Sequence, residues 1–258
     1  MIRRTFLCLA LLASLAAHTA RAADIHVVSS GGFAAAYKDL APEWEKRTGN
    51  HLVTEWGPSM GNTPGAVPQR LARGENIDVV IMVGYALDKL VDGGKVGAED
   101  GIKLARSGIG GVVKEGAPQP DVSTVDGLKQ ALLAAKSIAY SDSASGVYIE
   151  REMFKKMGIE DQVRAKSHMI PATPVGEIVA KGEADIGFQQ ISELKPIMGI
   201  TLVGPLPEPL QLYTDFSAGV LSDSDQKVVA RSLVQFLASP EAATAIKNSG
   251  MEPAGPAK

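Results

Sequence analysis

Apolar residues in this chain alternate between short β-branched runs and stripes at helical spacing. Ile25-His26-Val27-Val28 reads as a buried strand and ends in Ser29-Ser30-Gly31-Gly32. Phe33, Tyr37, Leu40 and Trp44 then recur on one helix face, with Glu43, Glu45, Lys46 and Arg47 opposite and Gly49 as the stop. Residues 51–56 form the next expected strand. The loop 57–63 leads to Pro64, read as the start of a helix ending near Arg73-Gly74. Residues 78–83 make a third strand, and 86–91 a short helix closed by Gly93-Gly94.

The middle of the chain repeats this style without repeating the sequence. Strands are expected over 110–113, 137–140 and 184–188, and helices over 125–135 and 147–157. The stretch 141–146 between the second strand and its helix is a polar loop, and 116–120 is a Pro-rich turn. Thr173-Pro174 reads as an N-cap followed by the first helical residue. After a connector at 204–209 come a strand at 216–221 and a helix at 225–237. Alternating strands and helices predict an α/β fold with a parallel-type sheet. No fixed-period repeat or low-complexity tract is present.

Composition narrows the classes. With 258 residues, 45% hydrophobic and 21% charged, the chain is long enough for two lobes and is no disordered or collagen-like polymer. A net charge of −3 argues against a nucleic-acid partner. Arg3 and Arg4, the apolar residues 6–17 and Ala20-Arg21-Ala22 read as a signal peptide cut after Ala22. The apolar run is too short for a permanent membrane span. Such a cut removes three arginines and no acid, making the mature charge more negative, and it removes Cys8, the sole cysteine. Disulfide, thiol and zinc-thiolate chemistry are then excluded, and His26, His51 and His168 are too scattered to suggest a metal site. No metal or cofactor is expected.

The candidate chemistry lies in loops. Ser29-Ser30-Gly31-Gly32, Ser59-Met60-Gly61-Asn62 and the stretch from Ser141 through Ser143 and Ser145 to Gly146 each follow an expected strand. Hydroxyls and small residues there let backbone N–H groups converge on an anion, helped by the positive end of a helix. Taken singly, each loop also reads as ordinary N-capping. Together, at the carboxyl ends of strands, they lie where open α/β sheets bind ligands.

On these residues the chain resembles the type 2 periplasmic solute-binding proteins, in the molybdate-binding branch. The marks are the strand before Ser29-Ser30-Gly31-Gly32, then Leu71-Ala72-Arg73-Gly74 with Asp78-Val79-Val80, and Gly182-Glu183-Ala184-Asp185-Ile186-Gly187. The resemblance implies a two-lobed periplasmic-binding-protein type 2 fold with a ligand cleft between lobes. Residues 23–107 and 210–258 would build one lobe, and 108–209 the other. It also implies that Ser30 and Ser59 hold an oxyanion, with the loop 141–145 as the second-lobe anion loop. Where molybdate binders carry a tyrosine after the strand, this chain has Gln189 and Gln190, whose amides both donate and accept. A narrower subgroup, resembling periplasmic aconitate isomerase, shares Pro58-Ser59-Met60-Gly61, Tyr140-Ser141-Asp142-Ser143-Ala144-Ser145-Gly146-Val147-Tyr148 and Gly187-Phe188-Gln189-Gln190-Ile191-Ser192-Glu193-Leu194.

Two functions therefore compete. One is isomerisation of cis- to trans-aconitate by an allylic proton shift; the other is capture of an organic acid or molybdate-like oxyanion for an ABC permease. Both require a periplasmic protein, expected to be a monomer, and a small anionic ligand, for which a tricarboxylate fits. Ligand-binding candidates are Ser29, Ser30, Gly31, Ser59, Met60, Gly61, Ser141, Ser143, Ser145, Gln189 and Gln190. The general base is open among Tyr148, Asp142, Tyr140, Glu177 and His168. Asp142 and Glu177 read equally as capping or first-turn acids. Gly57-Pro58-Ser59-Met60-Gly61 also matches a serine-hydrolase elbow, but Asn62-Thr63-Pro64 delays the helix that an elbow needs at once.

Overall fold

The computed structural model describes residues 22–255, so residues 1–21 of the expected leader, Cys8 included, lie outside the described residues. The strands are β1 (Asp24–Ser29), β2 (His51–Trp56), β3 (Val79–Val83), β4 (Val96–Ser107), β5 (Ile109–Lys114), β6 (Ile138–Ser141), β7 (Ser167–Ile170), β8 (Ile186–Gln190), β9 (Ile200–Pro205), β10 (Thr214–Leu221) and β11 (Glu252–Pro253). The helices are α1 (Gly31–Thr48), α2 (Val67–Ala72), α3 (Gly84–Asp92), α4 (Val125–Ala134), α5 (Ala144–Tyr148), α6 (Phe154–Lys156), α7 (Glu160–Val163), α8 (Val175–Lys181), α9 (Ile191–Leu194), α10 (Lys227–Leu237) and α11 (Ala243–Asn248). No described helix is long and apolar enough to cross a membrane.

Two mixed sheets result. The first has the order β11-β4-β10-β3-β1-β2 and the second β7-β6-β8-β5-β9. The chain leaves the first sheet between Ser107 and Ile109 and returns to it at Thr214. Parallel pairing holds for β1 with β2 and β3, and for β6 with β7 and β8. Strands β10, β5 and β9 run against their neighbours, so the expected parallel-type sheet is a mixed one in both cases. The strands that arrive by a crossing, β5 and β10, enter their new sheet reversed, and β9 runs against β5, its only neighbour, in consequence.

Each sheet has its own core. The stripe Phe33, Tyr37, Leu40 and Trp44 packs α1 on the first sheet, and Gly49 ends the helix at φ 73°, returning its N–H to the Glu45 carbonyl. The second sheet is covered on both faces. Val175 and Val179 of α8 pack with Val112 and Ala139 on one side, while Leu128, Leu132, Tyr148 and Phe154 pack with Tyr140 and Phe188 on the other. Trp44 is core, as its stripe implied, whereas Trp56 at the end of β2 is 42% exposed with the Lys38 ammonium over its ring.

Several expected boundaries move. Pro64 does not open its helix: α2 begins at Val67, whose N–H reaches back to the Pro58 carbonyl. Pro174 is the cap rather than the first helical residue, because α8 starts at Val175 and its first N–H is bonded by the Gln189 amide oxygen at 2.9 Å. The helix expected at 147–157 starts at Ala144 and carries a π-helical turn, Ile149–Met153, before α6. Gly204 and Pro205, expected in a connector, close β9.

Candidate functional site

The carboxyl ends of β1, β2 and β3 bring three loops together. The Ser30 N–H donates to the Ile81 carbonyl at 2.8 Å, and the Gly57 N–H to the Ser29 carbonyl at 3.1 Å. Ser59 Oγ accepts from the Val83 N–H at 3.0 Å, which leaves the hydroxyl proton of Ser59 free to donate elsewhere. Ser30 is the N-cap residue of α1, yet its side chain makes no cap bond, and Ser30 Oγ is buried without any partner. A buried hydroxyl left unsatisfied costs about 1–3 kcal/mol. An acceptor placed at the mouth of this 18-residue helix would recover that cost and meet the positive end of the helix dipole.

The second sheet presents a different loop. Ser141 Oγ lies 2.7 Å from Ser143 Oγ and 3.1 Å from Ser145 Oγ, so the three hydroxyls satisfy one another. Gly146 lets α5 close over them: a Cβ at that position would collide with the Ser141 backbone carbonyl. Asp142, exposed on the same loop, gives its N–H to the Ile170 carbonyl at 3.3 Å.

Adjacent glutamines do different work because strand side chains alternate. Gln189 faces α8, where its amide oxygen takes the Val175 N–H. Gln190 faces the crossings. In the amide orientation that satisfies both its ends, its nitrogen donates to the Ser107 carbonyl at 2.9 Å and its oxygen accepts from the Thr214 hydroxyl at 2.8 Å. Gln190 therefore ties together the two places where the chain changes sheet, and its hydrogen-bonding capacity is largely used there.

Glu193, on α9, joins the two groups of loops. A Cβ on Gly31 would stand 2.7 Å from Glu193 Oε1, so the carboxylate of one sheet lies against the helix mouth of the other. Burial pushes its pKa up to about 7; a hydrogen bond from the Gln189 amide opposes the shift, and the nearby Asp142 charge adds to it. Among the described residues Glu193 forms no ion pair. In sequence nothing but its place within the long shared string Gly187 to Leu194 distinguishes Glu193 from the other acids of the chain.

The five base candidates are placed as follows. The Tyr148 hydroxyl is buried and donates to the Leu210 carbonyl at 2.8 Å. Tyr140 donates to Glu150 at 3.3 Å, and burial pushes its pKa up to about 12. Glu177 is exposed in the first turn of α8, and His168 is exposed on the edge strand β7. Asp142 lies on the Ser141 loop itself, near enough to Glu193 for its charge to act there. Of the ligand candidates, Ser29, Ser30, Gly31 and Ser59 gather on the first sheet, and Ser141, Ser143, Ser145 and Gln189 on the second. Met60 packs on the first core, and Gly61 is exposed at φ 101°.

The donors offered here are hydroxyls and backbone amides. Arg70, after the Ser59 loop, is bonded to the Gly65 carbonyl at 3.0 Å and to Glu55 and Glu75, and Lys103 is paired with Asp215 at 2.7 Å. A separate hollow of about 280 Å³ at Glu99, Asp100 and Arg231 lies away from these loops. There Arg231 already holds Asp100 in two hydrogen bonds of 2.6 and 3.1 Å.

The chain is 50% identical over 227 residues, 88% of its length and 87% of the other's, to a Pseudomonas protein named aconitate isomerase. It is 26% identical to a molybdate-binding protein of Azotobacter vinelandii, over 95% of this chain and 96% of that one. A solved periplasmic molybdate-binding protein from the same organism superposes with a TM-score of 0.70 at 19% identity, over 90% of this chain and all of the other. That likeness establishes the two-lobed periplasmic-binding-protein fold. The family model described as bacterial extracellular solute-binding protein matches residues 25–252, and the chain belongs to that family.

Proposed function

We propose that the protein captures a small di- or tricarboxylate between its two sheets and isomerises aconitate from cis to trans. The observation that carries this reading is the 50% identity, over 88% of the chain, to a protein named aconitate isomerase. The site chemistry supports it. A free buried hydroxyl at Ser30, the Ser59 hydroxyl and the Ser141 loop suit carboxylate oxygens, and an allylic proton shift needs such donors where negative charge develops. In this reading residues 23–107 and 210–258 form one lobe, residues 108–209 form the other, and the cleft closes on the ligand. A leader cut after Ala22 would deliver the protein to the periplasm, the compartment that the family implies.

Family membership favours a second reading, in which the same cleft delivers an organic acid or a tetrahedral oxyanion to an ABC permease. Proton NMR of the purified protein with excess cis-aconitate separates the two. Growth of the trans isomer beyond the amount of protein establishes isomerisation. A thermal upshift without conversion makes the protein a carrier of polycarboxylates. Neither effect removes aconitate from consideration and directs the search to oxyanions.

A further inference from the structure

Helix α9 holds Glu193 in a fixed place. The Ile191 N–H donates to the Gly108 carbonyl at 2.9 Å, and the Ser192 N–H to Ser107 Oγ at 3.4 Å, so the turn is pinned to the crossing between the sheets. From there the Glu193 carboxylate reaches across to Gly31, the first residue of α1, where absence of a side chain makes the room. Three elements face it. These are the Gly31 end of α1, the Gln189 amide on β8, and Asp142 on the loop after β6. A merely structural carboxylate at a helix mouth would cap it by accepting backbone N–H bonds and would become more acidic. Glu193 accepts no backbone N–H among the described hydrogen bonds, and its pKa moves the other way.

We propose that Glu193 is the base that carries the proton in the isomerisation, a role that rests on the isomerase reading above. Its carboxylate takes a proton from the methylene carbon of aconitate, and the electron pair of that C–H bond forms the new double bond to the central carbon. The pair of the old double bond moves to the third carbon, which takes the proton back from Glu193. One C–H bond breaks and one forms, and nothing is oxidised or reduced. Both reacting carbons flank the same central carbon, so a single carboxylate serves both transfers. The intermediate charge spreads into the substrate carboxylates, which the hydroxyls of Ser30 and Ser59 are placed to receive. A base whose pKa lies near neutrality suits a proton that must be both taken and returned.

The test compares the wild type, E193Q and E193D by proton NMR with cis-aconitate, with affinity measured in parallel by calorimetry. We expect E193Q to bind within a few-fold of the wild type while its turnover falls by about 10²–10⁴-fold, with partial recovery in E193D. Wild-type turnover in E193Q would overturn the assignment. Equal loss of binding and turnover would overturn it as well, making Glu193 a binding group. A wild type that binds aconitate without converting it would remove the isomerase reading itself, and this role with it. That outcome is distinct because the failure is seen before any substitution.

Discussion

The two serine loops begin from the same kind of sequence and reach opposite states. At the end of β1, Ser30 keeps a buried hydroxyl with no partner beneath a long helix. At the end of β6, Ser141, Ser143 and Ser145 bond one another. The first loop already bears the cost of an unsatisfied donor in the free protein, so a ligand gains the full bond. The second loop must exchange internal bonds for ligand bonds, and the net gain is smaller. The first sheet should therefore supply most of the anion affinity, while the second supplies fit and, through Glu193, chemistry.

The largest expected effect breaks the second loop altogether. In Gly146→Ala the new Cβ meets the backbone carbonyl of Ser141, which cannot swing aside as a side chain would. We expect a loss of roughly 3 kcal/mol or more, read from the denaturant midpoint, together with loss of the ligand-induced thermal upshift.

Glu193, which spans the comparison, gives the next effect. Its folded pKa of about 7 lies above the ordinary carboxylate value, so the folded state holds this proton more tightly than the unfolded state. Its contribution to stability is fully present below the ordinary value and is lost as pH rises through about 7. After discounting for solvent screening, the wild type should lose about 2 kcal/mol between acidic and alkaline buffer that E193Q does not lose. Equal pH dependence of the two melting curves would place the carboxylate in water instead of at the Gly31 mouth.

Ser30→Ala sharpens the contrast further. It removes no internal bond of that hydroxyl, so the melting temperature of the free protein should hold or rise slightly. Affinity for cis-aconitate should nevertheless fall by about 1.5 kcal/mol, roughly tenfold. Ser143→Ala should have the smallest effect, below about 1 kcal/mol in affinity, because its hydroxyl is already spent on Ser141 at 2.7 Å. Calorimetry that finds Ser143→Ala the more damaging of the two would invert the comparison.

Legibility in the sequence followed the range of the interactions. The helix with Phe33, Tyr37, Leu40 and Trp44, and the run that became β3, depend on local periodicity and were readable. Strand β4 was not, because Val96-Gly97-Ala98-Glu99-Asp100-Gly101 has no strand pattern and is extended by pairing with β10, while β11 adds its pairing further on, at Ala105 and Arg106. The Ser29 and Ser141 loops were visible as strand ends rich in hydroxyls. Their difference was not, since Ser30 and Ser143 look alike in sequence. Gln189 and Gln190 look interchangeable in sequence, yet one caps α8 and the other holds the crossings.

The sequence by itself determined the alternation of strands and helices, the stripes that bury each element, and the chemistry available in the loops, because periodicity, turn residues and side-chain type act over a few neighbouring positions. Tertiary structure alone decided that Ser30 would be left without a partner, that the Ser141 hydroxyls would be satisfied, and that Glu193 would meet Gly31. Hydrogen-bond satisfaction and desolvation are set by atoms far apart in the chain, and those atoms meet only when two sheets, joined at Ser107 and Thr214, are folded against each other.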